Sequence, residues 1–303
     1  MALEAGELMH KVFAMVRIWQ LIRRQGLFDH GAVAATRIFG AELWDRMVKE
    51  TRGFDERDEL LAMCFLVLHT ANWEDDPKDI IRTMNNMEVA AIEYADERLR
   101  AMDQFPIWVA DVNDPHKPVG IEQVFDVVLL YEDGYKIRYI GTIDGLVVDI
   151  DRGHLATLED NKTASRIDSA FLNALHMKYQ FTGYLACSTA VFGMQVLNGR
   201  VLGVKIKRAN TGENYVSAPV SRDYDAIAKW GIDLRWFIQT LYEPFGPDDY
   251  ENAPRFTHSC NRYFRPCSLI PFCTDTPEGR KIAFEQEMVP ADLSPSERGV
   301  IDV

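Results

Sequence analysis

The stretch that decides the fold is Gly141-Thr142-Ile143-Asp144-Gly145, which is followed, after a glycine-containing turn, by Leu158-Glu159-Asp160-Asn161-Lys162-Thr163. Both stretches are predicted to be strands, and they are close enough in sequence to lie side by side in a sheet. Side chains alternate between the faces of a strand, so Asp160 and Lys162 project to one face while Glu159 projects to the other. The pattern therefore predicts two carboxylates and a lysine close together on adjacent strands.

Two carboxylates beside a lysine are the residue types of a metal-dependent phosphodiesterase site. Carboxylate oxygens are hard ligands for a divalent cation that polarises a phosphate, and a nearby ammonium can orient the attacking water and offset negative charge. A turn at Asp144-Gly145 is the alternative. Because the apolar run Leu146-Val147-Val148 continues the strand, Asp144 is predicted to be a carboxylate inside a strand, which needs a partner.

Two helical segments supply further polar groups. Gln180 and Tyr184 are four residues apart in Asp168 to Val191, a proline-free segment predicted to be one helix, so their side chains share a face. Near the start of the chain, Gly6 to His10 opens an amphipathic helix, and His10 supplies an imidazole that could complete a metal shell. The alternatives are an ordinary helix surface for the first pair and a histidine at the edge of the core for the second.

Taken in the order in which they occur along the chain, the motifs resemble those of the RecB-like and Cas4-like branch of the PD-(D/E)XK nuclease superfamily. This branch includes phage-encoded exonucleases. The resemblance runs from about His10 to Cys273. It implies an α/β fold with a restriction-endonuclease-like core, in which helices flank a mixed central sheet. The expected organisation is a helical region over 1–110, a nuclease core over 111–245, and a cysteine-bearing segment and tail over 246–303. We also predict a helix over 77–102 and a β-meander over 120–163.

The resemblance assigns a role to each matching residue. It implies that a Mg²⁺ or Mn²⁺ ion is held by His10, Asp144, Asp160 and the backbone carbonyl of Asn161. Lys162 would then orient the nucleophilic water. Gln180 and Tyr184, in the Gln-x-x-x-Tyr motif of this branch, would contact the DNA backbone or brace the site. Glu122 sits where members of the family often carry an acid beside the site.

Three cysteines form a cluster near the end of the chain: Cys260, Cys267 and Cys273. In the family, such cysteines hold a 4Fe-4S cluster whose first thiolate lies upstream of the Gly-x-x-x-His motif, yet no cysteine precedes Gly6 here. Either the fourth ligand comes from elsewhere, or the chain starts internally, or the cluster has been lost. Zinc held with His258 is the alternative, although the spacing differs from the close cysteine pairs of zinc knuckles.

The net charge of −13 argues against a broadly basic nucleic-acid surface, so a DNA path would depend on local cations. Arg200 to Arg208 is predicted to be a strand whose Lys205 and Lys207 project to one side, and Lys178 and Arg166 flank the active motifs. A DNA path and a solvated strand face are equally good interpretations of these residues.

With 303 residues, of which 47% are hydrophobic, the chain can bury one substantial core, alone or with an appended helical subdomain. No apolar run reaches membrane-spanning length, and the amino terminus lacks the pattern of a signal peptide. We therefore expect a cytoplasmic protein that does not bind membranes. Clustered cysteines fit a reducing compartment and a metal centre better than a disulfide framework.

Two classes of function fit these observations. The first is a metal-dependent DNA nuclease, expected to be an exonuclease in recombination, repair, phage DNA processing or CRISPR adaptation. Its partners would be DNA ends or single strands, with recombination or replication proteins. The second is a catalytically inactive DNA-binding scaffold that retains the nuclease fold and the iron-sulfur segment. A complete set of two acids and a lysine favours the enzyme.

Overall fold

The computed structural model describes residues 2–71, 73–101, 106–132, 135–149, 155–176, 179–207, 215–241 and 301–302. The chain divides into two compact units. The first comprises Met1–Ile227 and Pro295–Val303, and it carries the sheet and most of the helices. The second, Ala228–Ser294, is described over 228–241, which lie in a helix.

A mixed β-sheet forms the centre of the first unit. Its strands are β1 (Ile121–Glu132), β2 (Tyr135–Asp149), β3 (Leu155–Ala164), β4 (Asn198–Lys205), β5 (Tyr215–Pro219) and the two-residue β6 (Ile301–Asp302). Their order across the sheet is β5-β4-β3-β2-β1-β6. Strands β1, β2 and β3 form the predicted antiparallel meander, whereas β3 and β4 are parallel. A parallel pair needs a crossover connection, and helices supply it here.

Helices cover both faces of this sheet. Five precede it in the chain: α1 (Ala2–Arg23), α2 (Phe28–Phe39), α3 (Ala41–Glu50), α4 (Glu56–Thr70) and α5 (Met84–Ala101). The others are α6 (Ser169–His176), α7 (Tyr179–Phe192) and α8 (Tyr224–Leu241). Neighbouring strand residues enter different cores: Val147 packs with the amino-terminal helices and Leu146 with α6 and α7. The fold is therefore α/β with a mixed sheet between helices, as predicted at that level.

The opening helix is more deeply buried than predicted. Every residue from 12 to 20 of α1 is buried, including Arg17 and Gln20, so the expected amphipathic pattern is wrong for this part of the helix. The physical reason is the packing of α1, which contacts α2, α4 and α5 as well as β3. A helix enclosed in this way has no face left for solvent.

The structure describes one other predicted helix only in part, and it begins a second one later than predicted. The single helix predicted over 168–191 is described as α6 and α7, and residues 177–178 between them lie outside the described residues. The buried Arg222 side chain contacts both helices, because it donates to the carbonyl of Leu175 and to Oγ1 of Thr182 at 3.3 and 2.9 Å. The helix expected from 77 begins only at Met84, because carboxylates such as that of Asp79 accept backbone N–H bonds and favour turns before it.

Among the described residues, no helix is both long enough and apolar enough to cross a membrane.

Candidate functional site

Three potential metal ligands converge at one point of the first unit. His10 of α1, Glu122 of β1 and Asp144 of β2 each offer one ligand atom, and these atoms all lie within 4.8 Å of one another. The Nδ1 atom of His10 lies 3.5 Å from Oδ2 of Asp144. Antiparallel pairing of β1 with β2 brings the carboxylates of Glu122 and Asp144 side by side. Helix α1 contacts β1 and β3 and places the His10 imidazole next to them. One nitrogen and several carboxylate oxygens form a donor set that suits a divalent cation.

Strand β3 brings the rest of the predicted motif to the same place. Lys162 donates to both oxygens of the buried Asp160, at 2.8 and 2.7 Å. The backbone N–H of Asn161 donates to Oδ2 of Asp144 at 2.6 Å, and this hydrogen bond connects β3 to the Asp144 carboxylate on β2. The two neighbours of Asn161 in sequence therefore make an ion pair, while its own backbone orients Asp144.

Glu122 is held in an unusual backbone conformation. Its φ angle is 44°, in the left-handed region that residues with a side chain rarely adopt. Its Oε1 atom is buried and has no hydrogen-bond partner in the part of the chain that the structure describes. Strained backbone and unsatisfied buried acceptors each cost free energy and concentrate at functional sites. Both features fit a carboxylate whose partner is a bound cation.

Burial and neighbouring negative charges raise the pKa of all three carboxylates. Burial and the charge of Asp144 raise the pKa of Glu122 well above its usual range. Burial also raises the pKa of Asp144, and burial together with the Asp144 charge brings that of Asp160 to about 6. A cation would relieve this repulsion. Burial and the Lys162 charge lower the pKa of His10 to about 4, so its imidazole is neutral at neutral pH and able to bind a metal.

The Gln180 and Tyr184 pair lies beside these acids. Both residues are on α7, and Gln180 Nε2 donates to the Tyr184 hydroxyl at 2.8 Å. Tyr184 is buried, and its ring packs edge-on against Phe125 at 5.8 Å between centroids. Burial raises the pKa of Tyr184, and the negative charges of Asp160 and Asp144 add to the effect. The hydroxyl is therefore a neutral hydrogen-bonding group within the electrostatic reach of the site.

A second group of charges lies on the opposite face of β3. Glu159 is fully buried and accepts from three arginines on three different elements: Arg17 of α1, Arg98 of α5 and Arg200 of β4. Burial alone would raise the pKa of Glu159, but the three guanidinium groups outweigh it and lower the pKa to about 2. Glu159 is thus a structural anion, and Asp160 faces the site, as the alternation along β3 predicts.

Sequence reasoning missed this arginine cluster, although one signal was present. Arg17 interrupts an otherwise apolar stretch of α1, and a guanidinium in such a run must find a buried acid. Glu159 gives the same signal, because strand alternation places it on the face away from Asp160 and leaves it without a predicted partner. Pairing the two would have identified the contact between α1 and β3.

Other predicted residues lie elsewhere. Lys205, at the end of β4, lines a cavity of about 520 Å³ together with acids of α5, and Lys207 follows that strand. The expectation that both lysines lie on one strand is therefore wrong, because β4 ends before Lys207. Arg166 is exposed and pairs with Asp168 at 2.8 Å. Lys178, His258 and the three clustered cysteines, Cys260, Cys267 and Cys273, lie outside the described residues.

No protein-family model matches the chain, and no curated protein resembles it significantly. The assignment of a function therefore depends on the geometry of the site.

The raised pKa of Asp160 predicts a specific pH dependence of stability. Between about pH 4 and 6 the folded state binds more protons at Asp160 than the unfolded state does, so ionisation destabilises the fold as pH rises. In metal-free buffer, Asp160→Asn is therefore expected to gain stability relative to wild type as pH increases through this window. His10 acts in the opposite sense, since its lowered pKa disfavours the fold as pH falls. The Asp160 charge raises the pKa of His10, so its loss in the variant lowers that pKa further and adds to the same relative trend at the acidic end.

Thermal melts of both proteins from pH 4 to 7, with and without Mn²⁺, measure the difference. Mn²⁺ is expected to stabilise wild type more than the variant above pH 6. A melting-temperature difference that is independent of pH would show that Asp160 is not destabilised by its neighbours.

Proposed function

We propose that the chain is a divalent-metal-dependent DNA nuclease of the PD-(D/E)XK superfamily, from the RecB-like and Cas4-like branch, that degrades DNA from its ends. The observation that carries the proposal is the convergence of His10, Glu122 and Asp144 within 4.8 Å, next to the Asp160 and Lys162 pair. The chain order of these residues matches the motifs of that branch. The mixed sheet between two helical layers is compatible with its restriction-endonuclease-like core.

The residues present fit a Mg²⁺ or Mn²⁺ ion. His10, Asp144, Asp160 and the backbone carbonyl of Asn161 would hold it, and Glu122 adds a further oxygen that lacks another described partner. When bound, such an ion polarises the scissile phosphate and lowers the pKa of a coordinated water. Ionised carboxylates gathered this closely repel one another, and binding free energy from the cation offsets that cost.

Lys162 is the group that would act on the attacking water. Its ammonium is partly exposed and already donates to Asp160, so it lies between the buried carboxylates and solvent. From this position it can hold a water by hydrogen bonding and offset the negative charge that develops on the phosphate. Gln180 and the neutral hydroxyl of Tyr184 can donate to the DNA backbone beside the same carboxylates.

A catalytically inactive DNA-binding scaffold is the competing function. Such a scaffold needs no cluster of destabilised acids, because apolar residues of similar volume would fill the same space without the cost of buried like charges. The strained Glu122 and the raised pKa of Asp160 and Asp144 therefore favour the enzyme.

Action at DNA ends predicts a difference between DNA forms. Linear duplex or single-stranded DNA is expected to be degraded in Mg²⁺ or Mn²⁺, while covalently closed circles of the same sequence resist. The acidic chain, with its net charge of −13, should bind internal duplex weakly, and this favours entry at a free end. Agarose gels of matched linear and closed plasmid measure both rates. Rapid linearisation of the closed form would replace the exonuclease proposal with an endonuclease.

The cysteine cluster carries a separate proposal, which rests on the family resemblance. Cys260, Cys267 and Cys273 would bind a 4Fe-4S cluster, since neighbouring thiolates are stabilised by a metal centre. Protein purified without oxygen is then expected to be brown and to contain iron and sulfide, and the triple Cys→Ser variant should be colourless. Elemental analysis separates the outcomes. Zinc in place of iron would make the segment a structural zinc site, and metal-free protein would mean that the centre has been lost.

A further inference from the structure

Arg17 lies between the buried ion cluster and the candidate metal site. It follows His10 by seven residues on α1, two turns later, so both side chains project from the same side of the helix. The Arg17 side chain is fully buried, and its Nη2 atom lies 3.3 Å from Oε2 of Glu159. Helix α1 therefore contributes a ligand candidate and, two turns on, a guanidinium to the same region of the sheet.

Strand β2 has a glycine where the Arg17 side chain packs against it. Gly145 pairs with Glu159 across β2 and β3, and it immediately follows Asp144. A Cβ atom at position 145 would lie 2.6 Å from Nε of Arg17 and 2.7 Å from its Cζ, closer than real Cβ contacts allow. The guanidinium therefore occupies the space that any side chain at position 145 would need.

Arg17 also reaches the side chain of Asn161. A guanidinium only donates hydrogen bonds, so the amide oxygen of Asn161 faces Arg17 and accepts from Nη1 and Nη2 at 2.8 and 3.0 Å. The backbone N–H of the same asparagine donates to Asp144. Arg17 thus contacts the side chain of the residue whose main chain orients the ligand carboxylate.

We propose that Arg17 is a positioning residue for the metal site, a role that rests on the proposed metal-dependent function. Its planar guanidinium, seated over Gly145, fixes the Asn161 side chain and thereby the backbone that holds Asp144 and presents the Asn161 carbonyl. Lysine cannot replace it, because an ammonium lacks the planar set of N–H donors that can bond Glu159 and Asn161 at the same time. Groups that orient metal ligands in this way typically contribute about 10-fold to 100-fold to metal affinity.

The test measures Mn²⁺ affinity of the full chain without DNA, by titration calorimetry or by electron paramagnetic resonance of free Mn²⁺. Arg17→Lys keeps the charge, and Asn161→Ala keeps the backbone N–H and carbonyl. Each is expected to weaken Mn²⁺ binding by about 10-fold or more. Both substitutions remove the contact between Arg17 and Asn161. The double variant should therefore bind Mn²⁺ no more weakly than whichever single variant has the lower Mn²⁺ affinity.

Arg98→Lys is the matched control. Arg98 is equally buried and also donates to Glu159, at 3.1 Å, but the structure gives it no contact with Asn161. Arg98→Lys should keep Mn²⁺ affinity within about 3-fold of wild type, which is the variation expected for a substitution that is not coupled to the metal site. Gly145→Ala tests the same idea without changing a charge, because the added methyl displaces the guanidinium, and it should weaken binding as Arg17→Lys does.

Circular dichroism and thermal melts confirm that each variant is folded, and Gly145→Ala and Asn161→Ala carry the test if Arg17→Lys does not fold. Wild-type affinity in Arg17→Lys, or additive losses in the double variant, would overturn the positioning role alone. Equal losses in Arg17→Lys and Arg98→Lys would assign the effect to Glu159 instead. Wild-type protein that binds no Mn²⁺ would overturn the metal site of the proposed function and this inference with it.

Discussion

Asp144→Asn is expected to lower the rate of DNA cleavage by on the order of 10³-fold, and Asp160→Asn by a similar factor. A metal that acts as a Lewis acid contributes several kcal/mol to the transition state, and each 1.36 kcal/mol corresponds to tenfold in rate. Asparagine keeps the shape of the side chain, so the backbone of Asn161 can still donate to position 144 while the negative charge is lost. The loss is therefore expected in catalysis and Mn²⁺ affinity rather than in folding.

Asp126→Asn is the matched control for this prediction. Asp126 is a buried carboxylate on β1 of the same sheet, but it pairs with Arg138 at 2.6 Å instead of joining the site. Its variant should lose stability and keep the cleavage rate of the folded protein. Initial rates on end-labelled DNA, at a temperature where all variants are folded, make the comparison. Equal rates for Asp144→Asn and wild type would remove Asp144 from the active site.

Lys162→Ala is expected to reduce turnover by about 10²-fold or more while Mn²⁺ and DNA still bind, because its proposed contribution is made in the transition state. Removing the ammonium also leaves Asp160 without its ion-pair partner. The variant should therefore bind Mn²⁺ at least as tightly as wild type, since one positive charge no longer competes for that carboxylate.

Lys11→Ala provides the control for Lys162. Lys11 follows His10 on α1 but lines cavities with Leu8 and Ala71, which none of the site carboxylates line. Single-turnover cleavage and calorimetric Mn²⁺ titration separate chemistry from binding. If Lys162→Ala turned over at the wild-type rate, or lost Mn²⁺ binding, then the lysine would not act on the attacking water.

The parts of the site that follow from local sequence patterns were predictable. Alternation along one strand is enough to place Asp160 and Lys162 on one face and Glu159 on the other. The meander pairs strands that are adjacent in sequence, so the side-by-side arrangement of Asp144 and β3 also follows. Helical spacing likewise brings Gln180 to Tyr184.

The parts that depend on distant contacts were not predictable. Glu159 is held by Arg17, Arg98 and Arg200, which lie 142, 61 and 41 residues away in the chain, and no periodicity records such contacts. The left-handed backbone of Glu122 is another example, because a strand pattern predicts an extended residue there. The contact of Arg222 with both α6 and α7 is a third example, because this residue reaches the two helices from beyond β5.

The most direct test of the central claim is a metal titration of cleavage, with end-labelled linear DNA and the full chain. We predict no product in excess chelator, product that rises with Mg²⁺ or Mn²⁺ and saturates, and recovery when metal is restored after chelation. The same titration with Asp144→Asn should stay flat over the range that saturates wild type. Cleavage at the wild-type rate in chelator, or an equal response from Asp144→Asn, would contradict the account.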